Sequence, residues 1–160
     1  MDPNAVTLRP VTKADEPFLL ALYASTRDDE VSAWGWPEPQ IRAFLAMQFR
    51  AQRQSWDAAY PGAEHQIICL GSDGQPAGRL LVFCEAGQLC LVDIALLPEA
   101  RSRGIGTRVI HQLFERCRAR HLPMNLQVAV TNHRARSLYE RLGFQRSGGD
   151  AMYVRMTWNP

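Results

Sequence analysis

Between residues 66 and 106 the chain packs three apolar segments, two tight turns and an arginine- and glycine-rich step into one stretch. Few folds accommodate that order. Gln66 to Leu70 passes through Gly71-Ser72-Asp73-Gly74 into Ala77 to Cys84, and Glu85-Ala86-Gly87-Gln88 returns the chain into Leu89 to Leu96. Turn residues between short apolar runs predict an antiparallel meander. Directly afterwards come Arg101-Ser102-Arg103-Gly104-Ile105-Gly106 and a helix from about Gly104 to Arg120. Its apolar positions Ile105, Val109, Ile110, Leu113, Phe114 and Cys117 recur at helical spacing.

The flanking segments complete the order. Val6 to Arg9 reads as a first strand ended by Pro10, and Thr12 with Asp15 three residues later opens a helix carrying Phe18, Leu19, Leu22 and Tyr23. A loop from Arg27 to Pro39 leads to a second helix from about Gln40 to Trp56. After Pro123, the alternation Leu126, Val128, Val130 predicts a strand, Asn132 to Leu142 a helix, and Phe144–Arg146 and Met152–Trp158 two last strands. The expected fold class is α/β in the wider, α+β sense: a central mixed sheet covered by helices, in the order β-α-α-β-β-β-α-β-α-β-β.

At 160 residues, with no repeat or linker, this is one domain spanning residues 1–160. A net charge of +2 gives no case for nucleic acid or a membrane surface as partner. The longest apolar run, Phe18 to Ala24, is too short to span a bilayer, and no leader peptide is evident. Cys69, Cys84, Cys90 and Cys117 lack C-x-x-C spacing and read as buried, reduced thiols, so the expected location is cytoplasmic. Cys84 and Cys90 flank a turn and could face each other. The four His residues lack metal-ligand spacing, so no metal is expected.

Strand, turn, glycines, helix is an arrangement that binds phosphate. A helix N-terminus offers unpaired N–H donors and the positive end of the macrodipole. Gly104 and Gly106 carry no Cβ to block an approaching oxygen, and Arg101 and Arg103 can add charge-assisted bonds. G-x-G-x-x-G would need glycine at Val109, and Gly-Lys-Ser/Thr is absent. Further on, Asn132 is a good N-cap residue, with Ala135 and Tyr139 on the same helix face. Seven residues at ~1.5 Å rise place Tyr139 about 10 Å from Asn132 along that face. A phenol of pKa ~10 stays protonated at neutral pH and can serve as a proton donor. Gly143 suits the position just past the helix.

Together, Arg101-Ser102-Arg103-Gly104-Ile105-Gly106 and Asn132-His133-Arg134-Ala135-Arg136-Ser137-Leu138-Tyr139-Glu140-Arg141-Leu142-Gly143-Phe144 resemble the acyl-coenzyme-A-binding halves of the GNAT superfamily of N-acetyltransferases. The resemblance implies acetyl-CoA as cosubstrate and a primary amine as acceptor, joined by direct attack. It implies a bulged strand at Leu89–Leu96 that splays from the strand at Leu126–Val130, with the pantetheine arm in the gap. Ile94, Ala95 and Leu96 would line that arm. Arg101 through Thr107 (Ser102, Arg103, Gly104, Ile105 and Gly106 between them) would grip the pyrophosphate. Asn132 and Ala135 would support the arm, and Tyr139 would serve as acid at the sulfur.

The base and the acceptor stay open. Superfamily members that acetylate ribosomal-protein N-termini carry Glu five residues before the Asn; here that position is Gln127, and an amide is not a base. Asp93 stands where similar aminoglycoside 3-N-acetyltransferases also have Asp, and is either a base or the partner of a cation such as Arg79 or Arg103. Glu85 and ordered water are the remaining routes for the proton. Trp34 and Trp36, near Asp28, Asp29 and Glu30, could hold a cationic acceptor or pack their loop onto the sheet. The acceptor could be a small amine, an amino acid, an aminoglycoside or a peptide. A non-catalytic acyl-CoA-binding sensor is the rival reading, and exposed sheet edges would suit a homodimer.

Overall fold

The computed structural model describes residues 2–160. Seven strands form one sheet: β1 (Val6–Pro10), β2 (Glu64–Leu70), β3 (Gln75–Glu85), β4 (Gln88–Leu96), β5 (Met124–Ala129), β6 (Gln145–Gly149) and β7 (Tyr153–Trp158), in spatial order β1-β2-β3-β4-β5-β7-β6. The meander β2-β3-β4 is antiparallel, as the turn residues predict. β4 and β5 alone run parallel, because α4 (Ile105–Arg120) carries the chain back across the sheet between them.

Period-two alternation splits the apolar residues between two faces. Ile68, Leu80, Val82, Leu89 and Leu91 turn toward α4, where Val109, Ile110, Leu113, Phe114 and Cys117 meet them. Phe114 stacks on Trp158 of β7, ring centroids 3.9 Å apart, and so ties α4 to the far side of the sheet. Ile67 and Cys69 turn the other way, toward Leu19 and Tyr23 of α1 (Glu16–Thr26) and Leu45 and Phe49 of α3 (Glu38–Ala59). Ahead of α1, the Thr12 N–H donates to Asp15 Oδ2 at 2.8 Å. The Arg9 fork closes on the same carboxylate at 2.8 and 2.9 Å, holding its pKa well below the usual carboxylate range.

The structure departs from the sequence expectations at three points. Asp28–Ser32 forms a short helix, α2, within the stretch expected to be loop; its acidic first turn suits a helix start. α3 is longer at both ends than the apolar pattern indicated: it starts at Glu38, with Pro39 in its first turn, and much of its length faces solvent. Cys84 is exposed, and it pairs across the hairpin with Leu89 while Cys90 pairs with Phe83. These two thiols therefore do not face each other.

A bulge sets the geometry of the site. Leu81 of β3 opposes Asp93 of β4, but Val82 opposes Leu91, leaving Val92 as the extra residue. Just beyond, Gly78 opposes Leu96 so closely that a Cβ there would collide with the Ala95 carbonyl oxygen and stand 2.8 Å from Leu96 Cδ2. Gly78→Ala is expected to destabilise the fold by about 1–3 kcal/mol through overpacking, read as a drop of several degrees in Tm by calorimetry. An unchanged Tm would show that β4 has room to shift.

Candidate functional site

β4 and β5 are paired only from Leu89 to Leu91 against Met124 to Leu126. Past that point β5 continues along β7, up to Ala129 against Tyr153, while β4 bends away after its bulge. The two strands therefore open a wedge, and the backbone of Ile94 to Leu96 loses its neighbour on that side. A cavity of about 500 Å³ fills the wedge. Ile94, Ala95 and Leu96 form one wall, Arg101, Ser102, Gly104, Ile105, Gly106 and Thr107 the second, and Asn132, Ala135 and Tyr139 the third.

The second wall is the start of α4. Ser102 at φ +60° and Gly104 at φ +76° turn the chain through left-handed backbone so that the helix begins at Ile105. Its first intrahelical bond runs from Arg108 N to the Gly104 carbonyl at 3.1 Å. The N–H groups ahead of Arg108 are thus left for whatever enters the cavity. Nothing lies within 4 Å of where a Cβ would stand at Gly104 or Gly106, so the approach is open.

The arginines divide between structural and open roles. Arg101 Nε donates to the Leu96 carbonyl at 3.0 Å and braces the end of β4 while lining the cavity. Arg103, expected beside the pyrophosphate, lies outside this cavity. It bonds Asn4 Oδ1 and borders a separate surface hollow near Asp2 and Pro3. Arg134 and Arg141 of α5 (His133–Arg141), which the sequence reasoning did not single out, do line the wedge. Arg134 Nη2 donates to Ser102 Oγ at 2.6 Å and links the two halves of the site. Helical spacing gave no signal for them, because two and nine residues from Asn132 fall off the Asn132–Tyr139 face. The usable signal was chemical: long cations on the helix that lines the cavity.

Asn132 caps α5, its Oδ1 accepting from Ala135 N at 3.2 Å, so only its amide nitrogen remains for a ligand. Tyr139 stands one turn from the helix end against Phe144, ring centroids 5.6 Å apart. Burial pushes its phenol up to about 12, and the Asp93 charge adds to the shift. Asp93 itself is held by Arg79, Nε to Oδ2 at 2.9 Å, which is the cation pairing the sequence left open. Burial raises the Asp93 pKa, against the opposing pull of Arg79. On the other side of the sheet edge, Trp34 sits against Trp36 and Phe44, centroids 4.9 and 5.3 Å away, and packs on the α1–α3 core. Trp36 keeps 41% of its surface exposed. Of the nearby carboxylates, Glu30 is already bound by Arg27.

A phenol raised above its ordinary value is an uncharged donor throughout the neutral range. A spectrophotometric titration of the wild type minus Tyr139→Phe is expected to show one phenol ionising near pH 12. A midpoint at the unperturbed ~10 would contradict the buried placement.

Comparison with known proteins agrees with this geometry. The acetyltransferase (GNAT) family model matches residues 20–144. A Bacillus subtilis (strain 168) protein, provisionally described as a ribosomal protein bS18-alanine N-acetyltransferase, is 29% identical over 89 residues. That match covers 55% of this chain and 58% of the relative. Among solved structures, the PaiA N-acetyltransferase from Thermoplasma acidophilum in complex with coenzyme A superimposes with a TM-score of 0.71 at 15% identity, over 98% of this chain and 99% of that one. An acetyltransferase from Thermus thermophilus gives 0.69 at 19% identity over the full length of both.

Proposed function

The chain belongs to the acetyltransferase (GNAT) family, and on that premise we propose that it transfers an acetyl group from acetyl-CoA to the nitrogen of a primary amine. The observation that carries the reading is the wedge between β4 and β5, closed at one end by the bare N-terminus of α4 and at the other by the Tyr139 phenol. An extended pantetheine arm matches unpaired strand backbone, and a pyrophosphate matches unpaired helix N–H groups.

The thioester supplies the acyl group and leaves as a thiol. The residues around it divide the remaining work. Ile94 to Leu96 hold the arm as a neighbouring strand would, and the N–H at Ile94 polarises the acyl carbonyl. Ser102 and Gly104 to Thr107 bind the phosphates, with Arg101, Arg134 and Arg141 adding charge around them. The Asn132 amide nitrogen steadies the arm beside Ala135. Tyr139 gives its proton to the departing sulfur, and Asp93 takes the proton released by the attacking amine. Trp36 is the open aromatic surface on the acceptor side, while Trp34 serves it from behind.

Two substitutions test this division. Gly106→Asp puts a carboxylate into open space at the phosphate end. Coenzyme A affinity by calorimetry is expected to fall by about tenfold or more, with Tm nearly unchanged. Unimpaired binding in the folded variant would remove the phosphates from α4. Tyr139→Phe is expected to lower turnover in a thiol-release assay by about 10²-fold or more, while coenzyme A affinity stays within twofold. A binding-only sensor, which Gln127 and the paired Asp93 would suit, instead releases no thiol with any amine, amino acid, aminoglycoside or peptide acceptor in the wild type.

A further inference from the structure

Arg79 is a full charge in the middle of a sheet. It stands in β3 with 3% of its surface exposed. A guanidinium in that position destabilises the fold unless its charge and donors are met. Three groups meet them. Nε donates to Asp93 Oδ2 at 2.9 Å, Nη2 donates to Gln52 Oε1 at 3.1 Å, and the guanidinium carbon lies 4.5 Å from the Trp56 ring centroid. Gln52 and Trp56 both come from α3, so the helix that covers this face also fixes the fork of Arg79.

The contact with Asp93 uses one oxygen. Among the described residues Asp93 Oδ1 has no hydrogen-bond partner, and the side chain keeps 28% of its surface open. By contrast, Arg9 closes both oxygens of Asp15 on its planar fork. Titratable groups on the neighbouring elements keep one protonation state across the neutral range. From β2, His65 stays neutral, its pKa lowered to about 4 by burial and by Arg79 and Arg53. From α5, Tyr139 stays protonated, and Arg53 of α3 is engaged with Glu16 at 2.7 Å.

We propose that Arg79 is a positioning residue for acyl transfer, holding the Asp93 carboxyl inside the sheet through Oδ2 and leaving Oδ1 without a protein partner. The inference rests on Asp93 as proton acceptor in the reading above. It also fixes when the proton moves. A carboxylate paired with arginine is too weak a base to take a proton from an ammonium of pKa ~10.4. The amine nitrogen therefore attacks uncharged, forming its bond to the thioester carbonyl carbon. The ammonium has already lost one proton to solvent. The remaining N–H proton, made acidic by the new bond, passes to Asp93 as the carbon–sulfur bond breaks and the sulfur takes the Tyr139 proton. The proton on Asp93 then returns through solvent to the Tyr139 phenolate, restoring both groups.

The first test needs no acceptor. Carboxyl carbon NMR of Asp93 across pH is compared in the wild type, Arg79→Gln and Arg79→Lys. Losing the cation is expected to raise the Asp93 midpoint by about one pH unit or more in Arg79→Gln, and by less in Arg79→Lys. An unchanged midpoint in folded Arg79→Gln overturns the proposal. The second test uses thiol release from acetyl-CoA with an amine that supports turnover. In Arg79→Gln, kcat is expected to fall about tenfold or more, KM for acetyl-CoA to stay within twofold, and the acid limb of kcat/KM to move to higher pH. A loss in coenzyme A affinity with an unmoved pH profile would make Arg79 structural only and overturn the proposal. If Arg79→Gln does not fold, Arg79→Lys decides, because it keeps the cation but not the fork; wild-type kcat there overturns it. Failure of every amine to release thiol would remove the transferase reading, and the NMR titration would still decide whether Arg79 holds Asp93.

Discussion

The early end of the β4–β5 ladder is the constraint on which the rest of the structure depends. Three residue pairs join these strands, and then the bulge at Val92 turns β4 away while β5 stays with β7. Interior strands rarely give up hydrogen bonds, because unmet backbone groups cost as much as lost bonds. Here the separation is enforced from both sides. Gly78 lets β3 press directly against the Ala95 backbone, and six successive pairs hold β5 to β7. The resulting wedge is a permanent feature of the sheet and does not require a ligand to open it.

Everything that lines the wedge is anchored away from it. α4 presents its N-terminus to the cavity because its body is fixed by Phe114 against Trp158 and Phe144, and its last turn by Arg118 over the Trp158 ring. α5 contributes no fully buried residue, yet Ala135, Tyr139 and Leu142 rest on the same core. The Arg134–Ser102 bond then joins α5 to the loop before α4. Cavity walls built on packed helices keep their spacing better than loops would.

The sequence made the strand order, the turns and the α4 start legible because each rests on local chemistry: glycine at left-handed positions, helical spacing, an N-cap at Asn132. Most of the residues that line the cavity were legible for the same reason, since they occupy contiguous segments. Arg103 lies outside the cavity because its side chain's direction depends on a distant neighbour, here Asn4, ninety-nine residues away. Arg134 and Arg141 were passed over because they lie off the Asn132–Tyr139 face, among other charged residues on a polar helix. The bulge at Val92 could be expected only by resemblance, as nothing in Leu91-Val92-Asp93 marks it. α2 was missed because five residues give too short a pattern to register a helical period.

Asp93 shows why partner geometry decides chemistry that residue type leaves open. As a free carboxylate beside the bulge it would attract an ammonium and hold it charged, which stabilises the unreactive form of the nucleophile. Bound by Arg79 it attracts much less, and its raised proton affinity comes from burial, against the opposing pull of that cation. Tyr139 completes the logic, because an uncharged donor close to a carboxylate adds no repulsion and its own phenol is made harder to ionise by the same charge. Burial acts on both in the same direction, and the Arg79 cation separates them: it stands on the carboxylate, where it favours the ionised form, and is not among the groups that shift the phenol.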